Sequence, residues 1–213
     1  MSLAPSSADA PVLKIGAVVL RFSASADARS VSEPLAAGGK QHSCVGDKES
    51  PSIDMLQILI IRPIPKHKGE VPAFVLPRGS RQYRDASGQW HDARDAATGE
   101  KHAATLEPLE RALAREIEEE AGVSPAQLAA AWVYDLGRMD FQSRSKGVYP
   151  IHWFVVVPDV ATAVQLDKQT PADALEVRFA SLDAIKTMAS RGEFSAGYIP
   201  VIEAALVATA SLE

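Results

Sequence analysis

The 213-residue sequence contains little cysteine, few aromatic residues and no long apolar run. Its one cysteine, Cys44, cannot form a disulfide within the chain, which favours a reducing compartment. No apolar stretch reaches the roughly 18 residues needed to cross a bilayer. The first ten residues, MSLAPSSADA, lack the basic start and apolar middle of a secretory signal. Together these absences predict a cytoplasmic location.

An excess of basic residues is also missing. The net charge is −5 and the sequence pI is about 5.6, which argues against a general nucleic-acid binder or an anionic-membrane binder. We therefore expect a small-molecule partner, with no nucleic acid and no membrane. Whether the chain forms a homodimer is left open by the sequence.

The length and the apolar pattern fit one α/β domain. Residues 1–11 are expected to form a flexible leader, and residues 12–213 a single domain with a long loop at 23–53 and an insertion at about 80–104. Strands are predicted at 12–22, 54–64, 72–76, 133–141, 149–157 and 175–179. Helices are predicted at 106–123, from 125, at 182–191 and from 200. This alternation predicts a mixed sheet with helices on both faces.

Residues 106–123, LEPLERALAREIEEEAGV, carry the clearest pattern in the chain. Apolar residues recur there at steps of three and four: Leu106, Leu109, Leu113, Ile117 and Ala121. That periodicity predicts an amphipathic helix. Gly122 is expected to end it in a left-handed conformation.

The opposite side of this helix carries Glu116, Glu119 and Glu120, which are within side-chain reach of one another. Arg115 can reach Glu119 one turn later. A solvated acidic surface is the simplest interpretation. However, acidic residues crowd the last turn, where the helix dipole disfavours anions, and such conflicts are typical of functional sites. A hard divalent cation such as Mg²⁺ or Mn²⁺ would remove the repulsion.

The spacing of these residues resembles the sequence box of the Nudix hydrolases, G-x5-E-x7-R-E-U-x-E-E-x-G-U, where U is a bulky aliphatic residue. The matching positions are Glu107, Arg115, Glu116, Ile117, Glu119, Glu120, Gly122 and Val123. The front of the box departs from the pattern, because the residue six positions before Glu107 is Lys101. The family glycine is expected at Gly79, in LPRGS. Twenty-seven residues then separate it from Glu107 where the family has five, an insertion of twenty-two.

The resemblance implies an α/β/α sandwich that hydrolyses a nucleoside diphosphate linked to another group, X. The implied ligands for Mg²⁺ or Mn²⁺ are Glu116, Glu119, Glu120 and the backbone carbonyl of Gly79. Glu116 or Glu120 would activate water, and Arg115 would orient the glutamates. Glu107 would lie at the edge of the metal site or brace the helix. Further candidates for the base are the loop carboxylates Asp140, Asp167, Asp173 and Glu176.

The substrate is less clearly indicated. Residues 145–156, SKGVYPIHWFVV, look like the hairpin of Nudix enzymes that cleave diadenosine polyphosphates or diphosphoinositol polyphosphates. The cations that would face such a polyphosphate are Arg78, Arg138, Arg144 and Lys146. Nucleoside diphosphate sugars and oxidised nucleoside triphosphates stay open. A non-catalytic Nudix-fold module that binds a nucleotide is the alternative, and the displaced glycine favours it.

The inserted residues 80–104 have two interpretations. They could form a lid whose arginines, Arg81, Arg84 and Arg94, meet substrate phosphates and whose rings, Tyr83 and Trp90, stack on a base or sugar. They could equally form a surface loop that Trp90 pins to the domain.

Overall fold

The computed structural model describes residues 12–22, 56–93, 98, 101–143, 147–166, 171 and 173–210. The strands are β1 (Lys14–Phe22), β2 (Leu56–Pro63), β3 (Arg78–Ser80), β4 (Gln82–Arg84), β5 (Trp90–Asp92), β6 (Trp132–Ser143), β7 (Gly147–Val157) and β8 (Ala174–Ala180). The α-helices are α1 (Leu109–Ala121), α2 (Pro125–Ala130), α3 (Val160–Leu166), α4 (Leu182–Ser190) and α5 (Ile199–Ala210). Short 3₁₀ turns span Ala103–Thr105 and Ala196–Tyr198.

Six strands form the main sheet, in the order β6-β7-β1-β2-β8, and β3 pairs with the first residues of β1. The pairing of β1 with β7 is parallel, and its pairings with β2 and β3 are antiparallel. β4 and β5 form a separate two-stranded sheet. The main sheet is therefore mixed, and β1 lies at its centre.

The side chains of β1 alternate between two apolar cores because successive residues of a strand point to opposite faces. Val18 and Leu20 belong to a core that α4, α5 and the turn before α5 cover. Ile15, Ala17 and Val19 belong to a second core, which the apolar side of α1 covers. The result is the predicted α/β/α sandwich.

Local sequence signals explain how several helices begin and end. Ser124 and Gln127 form a capping box at the start of α2, and Ser181 accepts a hydrogen bond from Ala184 at the start of α4. Gly122 ends α1 with a φ of +73°, as expected. The start of α1 was predicted three residues too early, because Pro108 is the N-cap and the residues before it pair with the insertion.

Other elements differ from the sequence predictions. The expected strand at 72–76 is reduced to isolated bridges at Phe74 and Val75, while β3, the β4–β5 hairpin and α3 were not predicted. The expected leader at 1–11 and the whole of the loop at 23–53, including Cys44, lie outside the described residues. None of the helices in the described part of the chain is long and apolar enough to cross a membrane.

Candidate active site on the acidic helix

Arg115 lies at the centre of the polar contacts made by α1. Its guanidinium donates to the carboxylates of Glu107, Glu116 and Glu119 at donor–acceptor distances of 3.0, 2.7 and 3.2 Å. It also donates to the backbone carbonyl of Ser80 at 2.7 Å. Burial lowers the pKa of Arg115, but Glu107 and Glu116 together raise it above its usual value. One cation therefore fixes three carboxylates and ties the helix to the end of β3.

Glu107 acts as a brace at the start of the helix. Its side chain is 1% exposed and accepts a hydrogen bond from the backbone N–H of Gln82 at 3.1 Å, besides the two ion pairs with Arg111 and Arg115. These donors hold the buried side chain of Glu107 in one position at the start of the helix. Of the two roles considered for Glu107, the contacts support the brace.

Glu116 lies directly against Gly79. A Cβ atom added to Gly79 would be 1.8 Å from the Glu116 carboxyl carbon, so no larger residue can occupy that position without displacing the carboxylate. Burial raises the pKa of Glu116, and the adjacent Arg115 opposes that rise. The glycine that is displaced in the sequence is thus in contact with the box in space. This contact removes the sequence argument for a non-catalytic module.

Glu120 is held one turn after Glu116. Its carboxylate accepts a hydrogen bond from the backbone N–H of Arg78 at 2.7 Å. Burial raises the pKa of Glu120 to about 7; the Arg78 hydrogen bond opposes the shift, and the negative charges of Glu116 and Asp173 add to it. Such a carboxyl group exchanges its proton near neutral pH.

Glu119 is oriented differently from the other two glutamates. Its side chain is 45% exposed and is turned toward Arg115. In the described part of the chain, no three His, Cys, Asp or Glu side chains are grouped closely enough to hold one metal ion. Of the predicted metal ligands, the structure thus places Glu116, Gly79 and Glu120 together, and Glu119 would have to change rotamer to join them.

Comparisons with known proteins identify the family of this chain. The sequence model of the NUDIX domain matches residues 66–201, which is more than half of the chain. The chain belongs to the Nudix family. The family and the enzyme class predicted from residues 107–123, a Nudix pyrophosphohydrolase, are confirmed. No curated protein matches the sequence.

A solved structure of a Nudix family protein confirms the predicted fold class. A mutT/nudix family protein from Listeria innocua has a TM-score of 0.50 and 14% identity, over 93% of this chain and 93% of that chain. Shewanella oneidensis NrtR has a TM-score of 0.48 and 14% identity; the match covers 92% of this chain and 62% of that chain, so this chain spans less than two thirds of that protein. A C. elegans Ap4A hydrolase has a TM-score of 0.42 and 13% identity, over 92% and 98% of the two chains. At such identities the likeness concerns the fold alone.

The cations predicted to bind substrate lie in different environments. The Arg78 guanidinium donates to the Tyr149 hydroxyl at 2.6 Å and lies near the rings of Phe141 and Tyr198. Arg138 is exposed on β6, opposite His152 on β7. Arg144 and Lys146 lie outside the described residues. Tyr149 and Tyr198 are not recognisable as site residues from the sequence, because aromatic residues within apolar segments look like ordinary core residues.

The loop carboxylates that were considered as the catalytic base differ in the contacts that they make. Asp173 lies near enough to Glu120 for its charge to raise the pKa of that group. Glu176 instead forms an ion pair with Arg62 at 3.4 Å. Asp140 is exposed on β6, and Asp167 lies outside the described residues. Asp173 is therefore the loop carboxylate that the structure links to the Nudix helix.

The two ends of the insertion lie next to each other at the start of the Nudix helix. The backbone N–H of Glu107 donates to the carbonyl of Gln82 at 2.7 Å, and Arg81 donates to the carbonyl of Glu107 at 2.7 Å and to that of Val12 at 3.0 Å. Residues 80–82 therefore reach the Nudix helix directly, as a short family loop would. The excess chain lies between Tyr83 and Leu106, which form a bridge of their own.

The rings of the insertion are engaged within the protein. Tyr83 stacks on His102 and His91, with ring centroids 3.9 and 5.4 Å apart. The guanidinium of Arg111 on α1 lies 4.4 Å from the centroid of Trp90. Arg84 donates to the carbonyl of Gly88 within the same hairpin, and Arg94 lies outside the described residues. These contacts favour a surface hairpin pinned by Trp90 over a substrate lid.

Replacing residues 83–106 by Asn-Gly should leave a folded, active protein. Two residues between Gln82 and Glu107 restore the family spacing, and the existing Glu107 N–H to Gln82 carbonyl bond is the bond that closes a two-residue hairpin turn. We expect the kcat and KM of the shortened protein to stay within about threefold of wild type. Steady-state kinetics and circular dichroism would check this. A tenfold rise in KM with an unchanged fold would restore the lid interpretation.

Proposed function

We propose that this Nudix protein is a metal-dependent hydrolase that cleaves the diphosphate linkage of a nucleoside diphosphate joined to another group. The observation that carries the proposal is a pair of carboxylates on one side of α1, of which Glu116 is buried and Glu120 is half-buried. Glu116 lies against Gly79, Glu120 accepts a hydrogen bond from the Arg78 backbone, and burial raises the pKa of both groups. Burying two adjacent carboxylates is unfavourable unless a cation shares the site.

The residues present fit Mg²⁺ or Mn²⁺. Carboxylate and backbone carbonyl oxygens are the ligands that these hard cations prefer. The space that a Cβ at Gly79 would fill is occupied by the Glu116 carboxylate, which brings a carboxylate and the glycine backbone together. Glu116, Glu119, Glu120 and the Gly79 carbonyl would hold the ions. When bound, they would neutralise charge on the diphosphate and make water more acidic.

The remaining chemistry is assigned to side chains of the chain itself. Arg115 holds Glu116 and Glu119 through charge-assisted hydrogen bonds and so keeps them oriented. Glu116 or Glu120 would accept a proton from the attacking water, because both carboxylates lie on the side of α1 that faces Gly79 and Arg78. In the metal-free protein, burial raises the pKa of Glu120 to about 7.

For the substrate we propose a polyphosphate-bearing molecule, either a dinucleoside polyphosphate or a diphosphoinositol polyphosphate. Arg78 adjoins Glu120, and it is the cation best placed to meet a phosphate next to the cleaved bond. Arg138, which is exposed on β6, would meet a more distant phosphate. Nucleotide sugars and oxidised nucleoside triphosphates are the competing classes.

A substrate panel tests this proposal. The purified protein would be incubated with dinucleoside polyphosphates, diphosphoinositol polyphosphates, nucleotide sugars and oxidised nucleoside triphosphates, with Mg²⁺ or Mn²⁺ and in parallel with EDTA. We expect product release from at least one class, and its loss with EDTA, measured by chromatography. Nucleotide binding without any product would support the non-catalytic module instead. Cleavage that persists in EDTA would contradict the metal dependence.

A further inference from the structure

The hydroxyl of Tyr198 is an unusual group in this protein. The residue is 0% exposed, and its oxygen makes no hydrogen bond of ordinary geometry. Burial raises the pKa of the hydroxyl, although the Arg78 guanidinium lies close enough to oppose that rise. An unpaired buried hydroxyl opposes folding, since it has lost its hydrogen bonds to water. Such a group in a native structure calls for an explanation. Phenylalanine would fill the same space without that cost.

The ring of Tyr198 is fixed in place. It stacks on Phe141, with centroids 4.5 Å apart, and meets the rings of Trp153 and Phe194 at 5.8 and 5.9 Å. The groups whose charges act on its hydroxyl are Arg78, Tyr149 and Glu120. The ring packing therefore holds the hydroxyl near the Arg78 guanidinium, whose carbon lies 5.5 Å from the centroid of the Tyr198 ring.

Donors outnumber acceptors at this position. The Arg78 guanidinium carries five N–H donors, and it donates to the Tyr149 hydroxyl. The nearby Glu120 carboxylate already accepts from the Arg78 backbone. The O–H of Tyr198 adds another donor, and it has no acceptor among the described residues. Such a set of donors is complementary to an anionic oxygen.

We propose that Arg78, Tyr149 and Tyr198 form a phosphoryl-binding subsite beside Glu120. A non-bridging oxygen of the diphosphate would accept hydrogen bonds from the Arg78 guanidinium and from the Tyr198 hydroxyl. Tyr149 holds the guanidinium over Tyr198 until substrate binds, and the guanidinium then moves to the phosphate and uncovers the hydroxyl. This inference rests on the proposed function, because it assumes a substrate with a diphosphate.

The Tyr198→Phe variant tests the subsite, with the non-hydrolysable diphosphate analogue imidodiphosphate as the probe. We expect its affinity in the presence of Mn²⁺, measured by calorimetry, to fall about ten- to hundredfold, as for loss of a hydrogen bond to a charged group. The KM for the best substrate of the panel should rise in the same direction. The melting temperature should stay equal or rise, because the unpaired hydroxyl is gone. If Tyr198 had only a structural role, the substitution would not lower the affinity for imidodiphosphate while the melting temperature stayed equal or rose.

Two further variants complete the experiment. Tyr134→Phe removes a hydroxyl from an exposed position on β6 and should change neither affinity nor KM. Combining Tyr198→Phe with Arg78→Lys should give losses that are not additive, because both groups would bind one phosphoryl oxygen. Fully additive losses would overturn the shared subsite.

The failure of this inference can be told apart from failure of the proposed function. If the wild type releases product and binds imidodiphosphate, and Tyr198→Phe binds it within twofold of wild type, the subsite is wrong and the hydrolase stands. If the wild type neither binds the analogue nor cleaves any substrate of the panel, both proposals are wrong.

Discussion

The Glu120→Gln variant is expected to hydrolyse substrate about a hundred- to ten-thousandfold more slowly than wild type. Glutamine keeps an oxygen that can accept the Arg78 N–H bond, but it carries no charge and cannot accept a proton near neutral pH. Steady-state rates with saturating Mg²⁺ or Mn²⁺ would measure the loss. Glu119→Gln should also lower the rate by orders of magnitude. The matched control is Glu118→Gln, which changes an exposed carboxylate on the same helix at a variable position of the box.

The same variant should be more stable than wild type at high pH, which separates a catalytic loss from unfolding. The pKa of Glu120 is about 7 in the folded protein against an ordinary 4.5. The folded state therefore binds more protons between these values, and stability falls as the pH rises through that window. A shift of this size corresponds to at most about 3 kcal/mol. In metal-free buffer, thermal melts of the two proteins should coincide near pH 4 and diverge by pH 8.

Both the rate and the melting temperature of Glu120→Gln could contradict the role assigned to Glu120. Wild-type turnover in Glu120→Gln would show that this carboxylate takes no part in the reaction. A melting temperature that falls below that of wild type at pH 8 would show that the charged form of Glu120 stabilises the fold. Adding Mg²⁺ should reduce the difference between the two proteins, because the cation stabilises only a charged carboxylate.

The Gly79→Ala variant should lose at least about a hundredfold in rate while keeping its fold, since displacements near 1 Å can cost that much. The added methyl group would overlap the carboxylate of Glu116. That carboxylate is the end of a flexible side chain, so it can rotate away at little cost to the core. It would then leave the position in which Arg115 holds it at 2.7 Å. The expected result is a small change in melting temperature with a large change in kcat.

Gly69→Ala provides the comparison for this substitution. Gly69 lies in an exposed turn, and nothing lies within 4 Å of an added Cβ. Its positive φ of +86° makes alanine locally strained, so stability should fall slightly while the rate stays unchanged. If Gly79→Ala kept full activity, the contact between Gly79 and Glu116 would have no role in the reaction.

The Nudix helix could be predicted from sequence because its contacts follow from helical spacing. Arg115 reaches Glu119 at i+4, as expected, and Gly122 ends the helix. The contact between Gly79 and Glu116 could not be derived in this way. It depends on strand β3 and on the closure of the insertion at Gln82 and Glu107, and both are set by pairing between distant segments.

The aromatic residues of the site could not be predicted from the sequence, for a different reason. Tyr149 and Tyr198 occur in apolar segments whose pattern indicates only burial. Their proximity to Arg78 results from the packing of the 3₁₀ turn at Ala196–Tyr198 onto the face of the sheet that carries Tyr149 of β7. A hydroxyl that lacks a partner is a property of the packed structure, and no residue pattern reports it.

The central position of β1 has a consequence for how the chain folds. Its parallel partner is β7, so that Ile15 is paired with His152 across most of the chain. During synthesis, β1 leaves the ribosome long before β7. The backbone groups on one edge of β1 therefore have no hydrogen-bonding partner strand until β7 emerges. Contacts of such high sequence separation slow folding. Folding of the nascent chain is thus expected to be completed late, when β7 emerges.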